Sequence, residues 1–146
     1  MNMVTGILAL QGDFALHQQR LHELGAKSVL VRKAQMLHAV DALIMPGGES
    51  TTLLRLLDDN FRKSLQEAIQ GGIPVLATCA GLILLSRGVT NPGQDSLALL
   101  DIDVERNSYG RQIDSFVDLN LNWTSAGRSE LELVSQHGLA NAASPT

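Results

Sequence analysis

Four short runs of apolar, β-forming residues divide the first half of this chain: residues 4–10, 28–31, 42–45 and 73–77. Three of them end in abrupt non-helical turns. The first stops at Gln11-Gly12-Asp13, the third at Pro46-Gly47-Gly48, and the fourth runs directly into Thr78-Cys79-Ala80-Gly81. Helical patterns fill the gaps. Asp13 is placed to cap a helix whose apolar positions Phe14, Leu16, Leu21 and Leu24 fit one broad face, with Gly25 as its stop. Ser50 opens a second pattern through Leu53, Leu54, Leu56 and Leu57, and a third runs from Phe61 to Ile69 and stops at Gly71-Gly72. A fourth, apolar throughout, follows Cys79 as far as Leu85. Such alternation predicts an α/β fold with a mostly parallel sheet and helices on both faces.

The runs do not alternate apolar with polar residues, as strands covered on both faces should not. In sheets of this kind ligands bind at the carboxyl ends of the strands. The three turns then lie on one edge and can share a pocket.

Beyond Leu97 the pattern weakens. Residues 99–104 read as a strand, and Arg106-Asn107-Ser108-Tyr109-Gly110-Arg111 as a polar turn with two arginines. Periodicity fades from Asp118 onward, apart from a strand expected over 131–134. Residues 138–146, rich in Ala, Asn, Ser and Pro, are expected to fray. No repeat or linker divides the chain, so 1–146 reads as a single domain.

Composition removes several functions. Aromatics are 3% of 146 residues, too few for a base-stacking platform. A net charge of −4 with no basic run argues against nucleic acid and anionic membranes as partners. No apolar stretch approaches the ~20 residues that span a bilayer. The N-terminus has no basic region ahead of its apolar run, so no signal peptide is expected. One cysteine, Cys79, cannot form an internal disulfide and suits a reducing compartment, hence a cytoplasmic location. The histidines lack ligand spacing and Cys79 has no cysteine partner, so no metal site is expected, and nothing in the sequence suggests a bound cofactor.

Cys79 sits where a buried strand meets a helix start. A helix N-terminus beside it favours the nucleophilic thiolate. Small neighbours Ala77, Ala80 and Gly81 let such an elbow close. On its own, a lone cysteine is more often a small buried hydrophobe. The Pro46-Gly47-Gly48-Glu49-Ser50-Thr51 segment can bring backbone N–H groups close to an oxyanion or carboxylate. It also reads as a plain tight turn with Ser50 capping the next helix. It lacks the lysine of a phosphate-binding loop.

Four blocks taken together resemble one family. They are Leu8-Ala9-Leu10-Gln11-Gly12-Asp13, the 45–52 segment around Gly47-Gly48-Glu49, the 78–85 segment beginning Thr78-Cys79-Ala80-Gly81, and Arg106 to Gln112. In that order, over about 4–116, they are similar to the glutaminase subunit of pyridoxal 5'-phosphate synthase, a triad glutamine amidotransferase. The resemblance implies a flavodoxin-like, class I glutamine amidotransferase fold. It implies hydrolysis of L-glutamine to glutamate and ammonia, with ammonia passed to a synthase subunit that makes pyridoxal 5'-phosphate. By motif match Cys79 is the nucleophile. Gly48 and Ala80 offer N–H groups to the oxyanion, Gly47, Gly48 and Glu49 line the glutamine site, and Arg106 matches a glutamine-binding position. Residues near Gln11 face the synthase.

One departure matters. The family completes its triad with a His-Pro-Glu segment, and none of His17, His22, His38 and His137 is followed by Pro-Glu. Family chains also continue well past position 146, so the fold is expected to be incomplete at its C-terminus, as in a truncated or altered product. His137, with Glu130 or Glu132 as carboxylate partner, is the replacement base the sequence offers, although a lone histidine in a polar tail is more often solvated. His17 and His22 read as helix surface or as synthase-facing. Two functions follow: a glutaminase subunit, or a catalytically inactive module of the same fold that only binds the synthase.

Overall fold

Ile7 and Leu8 are successive residues of one strand, so their side chains leave opposite faces of it. Their exposures are 0% and 1%. That double burial requires cover on both sides of the sheet.

The computed structural model describes residues 2–106 and 132–133. Its elements are β1 (Val4–Leu8), α1 (Phe14–Glu23), β2 (Lys27–Val31), a 3-10 helix (Ala34–Ala39), β3 (Ala42–Met45), α2 (Ser50–Leu56), α3 (Asp59–Gln70), β4 (Val75–Ala77), α4 (Ala80–Leu85), β5 (Ser86–Thr90), β6 (Leu100–Glu105) and β7 (Glu132–Leu133). Five strands form one parallel sheet in the order β2-β1-β3-β4-β7. The expected α/β architecture is therefore present. β5 and β6 pair separately, also in parallel, with a register shift between Ser86 and Gly88.

The central strands β1 and β3 are almost wholly buried, whereas the outer strand β2 is only half so. Leu8, Leu43 and Met45 of the sheet share one core with Leu53 and Leu57 after β3, Phe61 and Leu65 of α3, and Leu84 of α4. Phe61 and Leu65 are one helical turn apart, the spacing that aims both at the sheet. Asp58 caps α3, accepting the Phe61 N–H at 2.7 Å. Arg62 then donates to the carbonyls of Leu57 at 2.9 Å and Leu54 at 2.7 Å, satisfying acceptors that the end of α2 leaves open.

Several sequence expectations change. α1 has no buried residue, and Leu16 and Leu24 are 54% and 80% exposed, so they do not join Phe14 on one core face. Leu24 lies just past the helix, where Gly25 reverses the chain at φ +70°. The Asp13 side chain makes no capping bond to α1. The first strand ends at Leu8, because residues 9–13 already form the turn. The 3-10 helix and β5 were not expected. Their segments are short, and the β5 segment carries Arg87 and Gly88 in place of an apolar run. Arg87 pairs across the strands with Asp101 and, at 2.6 Å, with Asp103, which raises its basicity and holds the Asp103 carboxyl below its usual range. Of the strand expected at 131–134, Glu132–Leu133 pairs with β4. The turn after Arg106, the tail at 138–146, Glu130 and His137 lie outside the described residues.

Candidate active site

β1 has β2 on one side and β3 on the other, so the chain reverses its direction of travel across the sheet between β1 and β3. The turns leaving two adjacent strands on either side of such a reversal move apart and open a crevice. Here hydrogen bonds tie the turn after β1 to the turn after β3, and the end of β4 to the end of β3. The Asp13 N–H donates to the Gly47 carbonyl at 3.1 Å, and the Thr78 N–H donates to the Met45 carbonyl at 3.0 Å. Gln11 reaches across, its Oε1 accepting the Glu49 N–H at 3.0 Å. All three turns read from the sequence meet at one edge.

Cys79 occupies the third turn. Its backbone is at φ 46°, ψ −108°, a conformation sparsely populated by residues with a side chain. The strain lets β4 stop at Ala77 and α4 begin at Ala80 with no intervening loop. The Gly81 N–H closes the elbow on the Thr78 carbonyl at 2.9 Å. Helix α4 can start there because Gly81 lies directly on β3. A Cβ on Gly81 would fall 2.8 Å from that of Met45. Gly47 faces Cys79 from the second turn, where an added Cβ would lie 3.3 Å from the Cys79 Cβ. Ala80 is the first residue of α4, so its N–H has no acceptor within the helix. Cys79 itself is partly exposed.

The 46–50 turn differs from expectation in one respect. Glu49, not Ser50, caps α2: its carboxylate accepts the Thr51 N–H at 3.2 Å and the Thr51 hydroxyl at 2.7 Å. These bonds, hydroxyl first, hold the Glu49 carboxyl below its usual range, with help from Arg106. Ser50 is buried and instead donates its hydroxyl to Gln94 Oε1 at 2.7 Å.

Arg106 arrives from a distant part of the sequence. Its N–H donates to the Thr90 carbonyl at 2.9 Å, which carries it past the end of β6 and back toward the main sheet. Its side chain is 15% exposed, with Nη2 3.5 Å from Glu49 Oε1 and Nη1 donating to Gln94 Oε1 at 2.9 Å. Cys79, Gly47, Gly48, Glu49, Ala80 and Arg106 are thus all carried by the crevice turns or tied to them. Two glutamines complete the set. Gln11 buries its Nε2 without an acceptor among the described residues. Gln94 was invisible in the sequence because it sits in an aperiodic loop.

The histidines divide. His17, one turn into α1 beside Asp13, is held below the usual imidazole range chiefly by burial, while Asp13 pulls the other way. His22 lines a shallow groove with Val4 and Lys27, the first residues of their strands, at the sheet edge opposite Cys79. His38 lies in the 3-10 helix. Among the described residues no group of three His, Cys, Asp or Glu side chains could hold a metal ion, and no helix is long and apolar enough to cross a membrane.

The SNO glutamine amidotransferase family matches residues 7–124, which include every part of this crevice. The chain belongs to that family. It is similar to the pyridoxal 5'-phosphate synthase subunit PdxT of Thermotoga sp. (strain RQ2), 49% identical over 115 residues, covering 78% of this chain and 61% of the relative. The subunit of the same name from Pelotomaculum thermopropionicum is 51% identical over 121 residues, covering 82% and 62%. A crystal structure described as a glutamine amidotransferase superposes with a TM-score of 0.69 at 41% identity, covering 77% of this chain and 61% of that one. The chain therefore spans about three fifths of the length of these proteins.

Proposed function

We propose that this chain is the glutaminase subunit of a pyridoxal 5'-phosphate synthase, hydrolysing L-glutamine and delivering ammonia to a synthase subunit. The observation that carries the proposal is the convergence of a strained cysteine elbow with a glycine turn and a paired Glu49–Arg106 at one strand edge. An amide is a poor electrophile, so its hydrolysis calls for a thiolate and preorganised donors. In this reading Cys79 Sγ attacks the carboxamide carbon, and the C–N bond breaks as ammonia leaves with a proton. Water then cleaves the thioester to glutamate and restores the thiol.

Each remaining residue has a part. The N–H groups of Gly48 and Ala80 receive the developing oxyanion. The Glu49 N–H is already held by Gln11, so it is Gly48 that this turn offers to substrate. Glu49 and Arg106 present opposite charges side by side, matching the ammonium and carboxylate of a free amino acid.

The test is ammonia release from glutamine by the chain with and without a synthase subunit, with Cys79→Ser as control. Synthase-dependent release lost in Cys79→Ser is expected, and His137→Gln then tests the base. A folded, synthase-bound chain that releases no ammonia would overturn the hydrolase reading in favour of a binding module.

A further inference from the structure

We infer that Gln94 is a positioning residue that locks Arg106 onto the 46–50 turn and thereby sets the affinity of the site for its amino-acid substrate. The inference rests on the glutaminase reading and assigns a part to a residue which that reading leaves unused.

One oxygen carries the lock. Gln94 Oε1 accepts both the Ser50 hydroxyl at 2.7 Å and Arg106 Nη1 at 2.9 Å. Guanidinium groups only donate, so the carboxamide must turn its oxygen, not its nitrogen, toward Arg106. Among the described residues, the head of Arg106 would without Gln94 keep Glu49 alone, at 3.5 Å. Glu49 is a poor anchor, because it is 57% exposed and already bonded twice to Thr51. Arg106 would then be fixed at its backbone on Thr90 and loose at its head.

The loop that carries Gln94 is itself held. The Leu97 N–H donates to the Leu84 carbonyl at 2.7 Å and the Leu99 N–H to the Leu85 carbonyl at 2.9 Å, at the far end of the helix that begins after Cys79. Gln94 thus connects the nucleophile's helix, the glycine turn and the arginine. A neutral acceptor also matters. It orients the guanidinium without cancelling the charge that a substrate carboxylate needs.

Two variants test this in the full chain with its synthase partner. Gln94→Met keeps the length and removes the acceptor, whereas Gln94→Glu keeps the acceptor. KM and kcat come from ammonia release, Kd for L-glutamine from calorimetry in a Cys79→Ala background, and the state of Arg106 from the exchange rate of its guanidinium N–H signals by NMR. Gln94→Met is expected to raise KM and Kd about ten-fold, with kcat within about two-fold, the mark of lost uniform binding. Its Arg106 signals should exchange faster, and in Gln94→Glu they should return to wild-type rates. Unchanged Kd or unchanged exchange in a folded Gln94→Met would overturn the inference. Glutamine binding that weakens in Gln94→Met, in a chain that releases no ammonia, would sink the hydrolase reading and support this one.

Discussion

The side-chain oxygen of Gln11 accepts the backbone N–H of Glu49 at 3.0 Å, fastening the turn after the first strand to the turn after the third. This bond spans the point at which the sheet reverses its order. It also decides which N–H groups of the glycine turn stay available. The bond is possible only because Gly48, between them, has no side chain.

Gly48→Ala follows directly. Gly48 has φ +147°, and a methyl there would sit 2.5 Å from Gln11 Oε1. The substitution is expected to cost about 2 kcal/mol in urea denaturation through backbone strain. It should also abolish ammonia release by displacing Gln11 from Glu49. Wild-type stability in Gly48→Ala would show that the turn can adopt another conformation.

Cys79 stores strain of the same kind. Cys79→Gly and Cys79→Ala both remove the thiol, but only glycine relaxes the φ of 46°. Cys79→Gly is therefore expected to exceed Cys79→Ala in stability by about 1 kcal/mol. Equal denaturation midpoints would mean that the elbow costs nothing.

His17 gives the pH dependence. Its pKa in the folded chain lies below the value of 6.5 that the unfolded chain approaches, so the unfolded state binds the extra proton first. The associated stability is whole above that value and is lost as pH falls through the folded one. Thermal midpoints between about pH 8 and pH 5 should decline more steeply for wild type than for His17→Gln. Parallel profiles would remove His17 as the cause.

Asp58 tests the support beneath the turn. Its carboxylate accepts the Phe61 N–H, and Asp58→Ala should cost about 1 kcal/mol by loss of that cap. Asp58→Asn should recover most of the loss, since an amide oxygen can accept the same N–H. Failure of Asn to recover it would point to charge instead.

Much of this architecture is legible in the sequence because it is local. β3 occupies Ala42–Met45 as the apolar run indicates, and Gly71 closes α3 where the glycine pair stands. The Cys79 elbow and the glycine turn are legible for the same reason, since small residues at a strand end leave few backbone options. Arg106 could be placed only by resemblance, because its position depends on a β5–β6 pair that periodicity does not reveal. Gln94 carries no local signal at all. Its role exists only once Ser50 and Arg106 are folded against it. The exposure of α1 was not legible, because helical spacing shows that residues share a face and not that anything covers it.

The pairing of β7 with β4 bears on the order in which the site is made. Strands β2, β1, β3 and β4 are assembled from residues 4–77, whereas Ala77 meets its outer partner only at Leu133. While the chain emerges from the ribosome, the strand that leads into Cys79 remains an open edge, able to template pairing with another chain. Closing that edge requires a long loop to form, which is slow relative to the local steps before it. Among the described strands the last to dock is therefore the one beside Cys79, and the edge that waits for it runs directly into the candidate site.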